Sequence, residues 1–244
     1  MTSYEIIISI IGLSIAGVVK GATGIGFSTT ALPIVALGVG LEHAMPLVLL
    51  PSISSNLSVM VSAAGFRQTV FRFRTLYVAL FPGLLIGLYL LSILTVHNAG
   101  RVLGIVILAY AIFALSRPAL QIRAERERIL NIPIGFLNGF INGLTGSQIL
   151  PIVPYSLSLG LSPDATVQLT NIAFTISSVV MLVGLHRIGF LDGKLLLLSA
   201  AGVLPGLLCV AVGTKLRKQI RPETFRKAVL VLLCLMALML ITSR

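Results

Sequence analysis

The stretch Lys20-Gly21-Ala22-Thr23-Gly24-Ile25-Gly26-Phe27-Ser28-Thr29-Thr30 decides how the rest of the chain is read. It lies between two apolar runs, Glu5–Val19 and Phe27–Gly40, each too short to cross a hydrocarbon layer of ~30 Å alone. Its glycines free the backbone to unwind, and a helix resuming near Phe27 presents unpaired N–H groups and the positive end of its dipole, a combination that binds anions. A second stretch, Asn138-Gly139-Phe140-Ile141-Asn142-Gly143-Leu144-Thr145-Gly146-Ser147-Gln148, lies between two more short runs, Ile129–Ile141 and Ile149–Gly160. Shifting the chain by 122 positions lays Gly17 on Gly139, Gly21 on Gly143, Thr23 on Thr145 and Gly24 on Gly146. The same shift lays Lys20 on Asn142, Gly26 on Gln148 and Glu42 on Asp164. Interrupted helix pairs at matching places in two halves point to a transport site.

The surroundings agree. Of 244 residues, 57% are hydrophobic and only 10% charged, against about a quarter charged in soluble domains. Three longer apolar runs follow each interrupted pair: Ala44–Ala64, Leu76–Val96 and Ala99–Ser116, then Ala165–Leu185, Leu195–Gly213 and Ala228–Ile241. The tetrapeptide Pro82-Gly83-Leu84-Leu85 returns as Pro205-Gly206-Leu207-Leu208. The expected fold is an all-α polytopic membrane protein made of two repeats, residues 1–116 and 129–244, joined by a charged linker at 117–128. Each repeat holds a re-entrant-like helix pair and three long transmembrane helices. Ile6–Val19 lacks the basic start of a signal peptide despite Ser14-Ile15-Ala16, so it is expected to be a retained helix.

Eighteen Lys and Arg against seven Asp and Glu give a formal charge of +11, but the basic residues fall between the apolar runs, which excludes a nucleic-acid surface. Phe66–Thr75 carries Arg67, Arg72 and Arg74, the linker carries four arginines, and Thr214–Lys227 carries six basic residues. These three segments are expected in the cytoplasm, with Val96–Gly100 and His186–Lys194 outside. Phe66–Thr75 and His186–Lys194 are repeat equivalents on opposite sides, so the two halves are expected to be inverted.

Enzymatic chemistry finds no support. Gly21 to Gly26 is neither a dinucleotide nor a P-loop fingerprint, and no strand precedes it. His43, His97 and His186 sit near helix ends without metal-ligand spacing, and Cys209 and Cys234 form no CxxC. No cofactor, no metal and no catalytic group is expected. The candidate substrate-binding residues are Lys20, Thr23, Gly24, Gly26 and Ser28 of the first break, and Asn142, Thr145, Gly146, Ser147 and Gln148 of the second. Asn56 and Asn171, in the long helix after each break, join them. Lys20 supplies the only full charge. Competing readings are that Gly17, Gly21, Gly139 and Gly143 serve helix packing, that Lys20 snorkels to an interface, and that the two asparagines only join helices.

The doubled glycine-rich break, the turns into Glu42 and Asp164, the two Pro-Gly-Leu-Leu helices and the basic linker resemble the TauE/SafE sulfite-exporter family of bacterial membrane permeases. The resemblance runs from about Ile10 to Leu240, and its two glycine-rich segments correspond to Lys20–Gly26 and Asn142–Gln148, the second departing from a glycine run at Ser147-Gln148. It implies a multi-pass protein of the inner membrane that moves sulfite, a sulfonate or a related sulfur-containing or organic anion. Partners are then the small anion and the lipid bilayer, with a homo-oligomer compatible. No carboxylate lies between Glu42 and Glu125 or between Glu127 and Asp164, so no buried proton relay is evident. Export is the expected direction, because a monoanion leaving a negative-inside cell gains about 2.3 kcal/mol per 100 mV. Proton-coupled uptake through Glu42 or Asp164, and a non-transporting scaffold, are the alternatives.

Overall fold

The computed structural model describes residues 2–116, 121–216 and 222–242, and among these every regular element is a helix. The first half comprises α1 (Ser3–Thr23), α2 (Phe27–Val39), α3 (Leu41–Val61), the short α4 (Phe66–Arg72), α5 (Arg74–Ile93) and α6 (Val96–Ser116). The second comprises α7 (Ala124–Thr145), α8 (Ile152–Ser158), α9 (Pro163–Arg187), α10 (Gly193–Leu216) and α11 (Pro222–Thr242). Among the described residues, six helices (α1, α3, α5, α6, α9 and α10) are long and apolar enough to span a membrane. The chain is a polytopic helical membrane protein. Of the basic residues used to orient it, Arg117, Arg217, Lys218 and Arg221 lie outside the described residues.

Two helices are longer than the apolar runs announce. Thr2 caps α1 through a reciprocal capping box with Glu5, and the helix continues through Lys20 and Gly21 to Thr23, making 21 residues instead of a run ending at Val19. Helix α7 starts at Ala124, inside the stretch 117–128 read as linker, with Glu125 and Glu127 in its first turn where they complement the dipole. Both stop at a left-handed glycine, Gly24 (φ 80°) and Gly146 (φ 75°), a conformation only glycine adopts without strain. The returning segments differ: α2 has 13 residues but α8 only seven, so the halves are alike in the incoming helix and unlike in the outgoing one.

Contacts set the direction of each element. Glu127 of α7 takes Arg72 of α4 in a two-pronged ion pair (2.8 and 2.7 Å) whose hydrogen bonding raises the arginine pKa above its ordinary value. Asp164 at the start of α9 accepts from the Ala64 amide just past α3, and the Ile122 amide donates to the Ser158 carbonyl at the end of α8. The end of α3, α4, the starts of α7 and α9 and the end of α8 therefore share one arginine-bearing end of the bundle. Helix α7 enters from that end and α8 returns to it. Helix α1 runs parallel to α10 toward the same end, Gly17 lying against Gly206 and Gly21 against Val210, and α2 returns so that Gly38 meets Ile8 near the start of α1.

The hairpins thus enter from opposite ends. Each is held by a helix of the other half, α7 on α5 and α1 on α10, through surfaces where glycine is required. A Cβ added at Gly139 would lie 2.2 Å from the Leu80 carbonyl oxygen, and one at Gly21 would lie 2.0 Å from that of Val210. The packing reading of these glycines holds. Helices α3 and α9 lie antiparallel, Gln168 of α9 donating to the Met60 and Ala63 carbonyls at the end of α3 (2.9 and 2.7 Å). Helices α6 and α11 do the same, Gly104 meeting Ala237 and Leu240.

Candidate functional site

Both breaks attach to one segment of α9. In the first, Lys20 is fully buried, and its ammonium donates to the Asn56 Oδ1 on α3 (2.6 Å) and to the Asn171 Oδ1 on α9. The Asn171 Nδ2 in turn donates to the Gly24 carbonyl (3.1 Å), so one asparagine bonds both the charge and the backbone of the break. The Phe174 ring, one turn on, lies 5.9 Å from the Lys20 nitrogen, within cation–π range. In the second break, the Gln148 Nε2 donates to the Phe174 carbonyl (3.2 Å) and to the Ser178 hydroxyl (2.7 Å). Asn138 holds the stretch of chain beyond Gly146 through bonds to the Gln148 and Leu150 carbonyls, each 2.8 Å.

Asn171 lies two turns into α9, about 12 Å from its first residue, and Ser178 about 10 Å beyond Asn171. The breaks are therefore staggered along α9 on either side of the middle of a ~30 Å core, and Phe174 joins them. They do not face each other at one level, because α1 and α7, at 21 and 22 residues, both run past the midplane before breaking.

On the elements that form this joint several buried polar atoms are unpartnered among the described residues: both amide atoms of Asn142, the Asn56 Nδ2, the Asn138 Oδ1, and the Ser147 and Ser177 hydroxyls. The Asn142 and Asn56 nitrogens are donors, the Asn142 and Asn138 oxygens are acceptors, and the two hydroxyls can do either. An unpaired buried polar group costs about 1–3 kcal/mol, so these atoms hold hydrogen-bonding capacity that the described side chains leave unused.

A family model described as Sulfite exporter TauE/SafE matches residues 9–240 of this chain. The protein belongs to the TauE/SafE family. No curated protein and no solved structure matches it. The family is one of membrane transporters of the sulfite-exporter type, and the six long apolar helices agree with that assignment.

The remaining residues expected at a substrate site sort by their partners. In this TauE/SafE protein the Thr23 hydroxyl donates to the Val19 and Ile25 carbonyls (2.8 and 2.7 Å), and that of Thr145 to Ile141 (2.6 Å): each closes the last turn of its own helix. Ser28 pairs with Ser52 at 2.8 Å. Gly26 caps α2 at φ 90°, and no side chain caps the helix N-terminus that begins at Phe27. The second break offers no such end, since Ser147 and Gln148 lie in non-helical chain and α8 begins only at Ile152. Lys20 does not snorkel: its whole side chain lies inside the protein. Phe174, Ser177 and Ser178 were not legible as site residues, although the 122-residue shift that pairs the breaks also lays Asn56 on Ser178. Glu42 and Asp164 stand apart from the joint, Glu42 beside the exposed His43 (3.5 Å) and Asp164 on the Ala64 amide.

Proposed function

We propose that this protein carries a small sulfur-containing or organic oxyanion across the bacterial inner membrane, outward, and that residues 1–116 and 129–244 act as inverted repeats around the joint on α9. One observation carries the reading: Lys20 is fully buried, and its partners among the described residues, Asn56, Asn171 and the Phe174 ring, are all neutral. Buried charges in proteins are normally compensated, and the charge that compensates this one is the cargo. The unpartnered donors of Asn142, Ser147 and Asn56 then take the anion's oxygens as it passes between the breaks. The antiparallel pairs α3/α9 and α6/α11 support the inverted arrangement, and the breaks tied to α9 are where such repeats place substrate. A negative-inside membrane favours export of a monoanion by about 2.3 kcal/mol per 100 mV, a roughly fifty-fold gradient with no coupling ion.

The test is flux through purified protein in liposomes. Sulfite or methanesulfonate release should saturate, compete with one another and respond to an imposed potential. Flux absent or linear in concentration from well-folded protein would replace the carrier with a scaffold or a channel.

A further inference from the structure

The arginine-bearing end holds a cavity of about 520 Å³ between the α4–α5 corner and the start of α7. Its lining sets three guanidinium groups, of Arg72, Arg74 and Arg128, against the one carboxylate of Glu127, and the Thr75 hydroxyl and Phe71 ring complete it. That carboxylate is already spent. Both Glu127 oxygens accept from Arg72, through its Nε and Nη2, which fixes the guanidinium in place and leaves the rest of its N–H groups for another acceptor. Arg74 and Arg128 are exposed and take part in no ion pair among the described residues. The cavity is therefore positive, and its charge is unmatched by the protein around it.

Toward the middle of the bundle the same two helices become apolar on the same faces. Val78, Phe81 and Leu85 follow Arg74 at helical spacing along α5, Ile132 follows Arg128 by one turn on α7, and all four are exposed. At 1.5 Å per residue this stripe begins about 6 Å from the arginines, which is the span of a glycerol backbone. Beside the cavity, α4 exposes Phe66 and Phe71 together with Arg67, a pairing of apolar rings and basic groups that suits the boundary between hydrocarbon and headgroups. A soluble oxyanion would use the arginines and leave the stripe idle. A phospholipid uses both.

We propose that this cavity binds the headgroup phosphate of an anionic phospholipid of the adjoining leaflet, with its acyl chains on the α5 and α7 stripe. Basic pockets between helices at a membrane surface hold acidic headgroups, whereas the ammonium of a zwitterionic headgroup is repelled by the same arginines. The bound lipid ties α4 and α5 to α7, the helix that carries the second break. The inference stands apart from the carrier reading and needs no transport to be tested.

The chain contains no tryptophan, so Phe81→Trp places a single fluorescent reporter on the stripe, about 10 Å along α5 from Arg74 and outside the cavity. Full-length Phe81→Trp protein would be reconstituted in bilayers of fixed phosphatidylcholine and phosphatidylglycerol content, with brominated acyl chains on one lipid or on the other. Quenching per brominated lipid should favour phosphatidylglycerol by roughly five- to thirtyfold, about fivefold for each unpaired arginine. Adding Arg74→Gln and Arg128→Gln should bring that ratio toward one. Adding Arg67→Gln and Arg126→Gln, which removes the same charge from exposed positions outside the cavity, should leave it in place. Tyr89→Trp, exposed near the far end of α5, should report no preference. A ratio near one for Phe81→Trp itself would overturn the proposal, and this comparison needs no arginine variant to fold. An equal fall in both double arginine variants would assign the preference to general surface charge and overturn the built site. Loss of the preference on adding inorganic phosphate or methanesulfonate at constant ionic strength would make the cavity a site for soluble oxyanions and overturn the lipid.

Discussion

Replacing Lys20 by methionine separates the charge from the volume it fills. The wild-type ammonium gives two hydrogen bonds, to Asn56 and Asn171, and sits over Phe174. Methionine leaves both asparagine oxygens buried without a donor, a penalty of about 1–3 kcal/mol each, but it also removes a buried cation whose desolvation costs several kcal/mol. The two contributions oppose each other and are of similar size. Folding stability is therefore expected to change by no more than about 2 kcal/mol, and the variant should keep a monodisperse profile in detergent. Transport has no such compensation. A charge-assisted contact to the anion is worth about 1.5–3 kcal/mol, so half-saturation for sulfite or methanesulfonate should rise roughly ten- to 150-fold. Lys20→Arg retains the charge but its planar fork suits the two asparagines less well, and partial activity is expected. The assay is initial flux in proteoliposomes at matched protein density, with the melting temperature measured on the same preparation. Well-folded Lys20→Met that transports with unchanged half-saturation would refute the reasoning, because it would show that the buried charge answers only to its asparagines.

Other consequences are open to simpler tests. Asn142→Asp puts a negative charge where both amide atoms are unpartnered, and should suppress anion flux far more than Asn142→Ala, with similar melting temperatures for both. Gly139→Leu drives a side chain into the Leu80 carbonyl across the α5–α7 seam, so the protein should lose its monodisperse peak or melt well below wild type; Gly40→Leu is a poor control because of its φ of 78°, whereas Gly100→Leu, with open space around it, should leave the profile intact. In a Cys209→Ala, Cys234→Ala background, a cysteine at the exposed Gln68 should resist an impermeant thiol reagent in whole cells while one at Gly193 is labelled; labelling of both would sink the orientation assigned from loop charge. Arg72→Ala leaves the largely buried Glu127 carboxylate without its partner and should lower the melting temperature; the loss is moderated by the half-exposed arginine, and transport at saturating anion should persist.

Hydropathy, read along the chain, was enough to establish a helical membrane protein and the places of its two breaks, because a bilayer leaves a backbone few ways to satisfy its hydrogen bonds, whereas the packing role of the glycines stayed one of two open readings. That the two breaks match was legible, since threonine and glycine recur at Thr23-Gly24 and Thr145-Gly146, but that both helices run on to a left-handed stop at those glycines was not. The lengths of α1 and α7 were not, since Thr2, Lys20 and Ala124 lie outside the apolar runs and only capping and burial extend the helices over them. Nor could the chain say that Thr23 and Thr145 close their own helices while Asn142 and Ser147 have no partner, as a side chain's free hydrogen bonds depend on what packs beside it. The buried Lys20 marks the division most clearly. Its type and position beside the break are local facts, but its enclosure by Asn56, Asn171 and Phe174 exists only because α9 crosses against α3 and passes both breaks, an arrangement of residues up to 151 positions apart. Long-range packing, not local pattern, enclosed a lysine at a broken helix among neutral partners inside the protein.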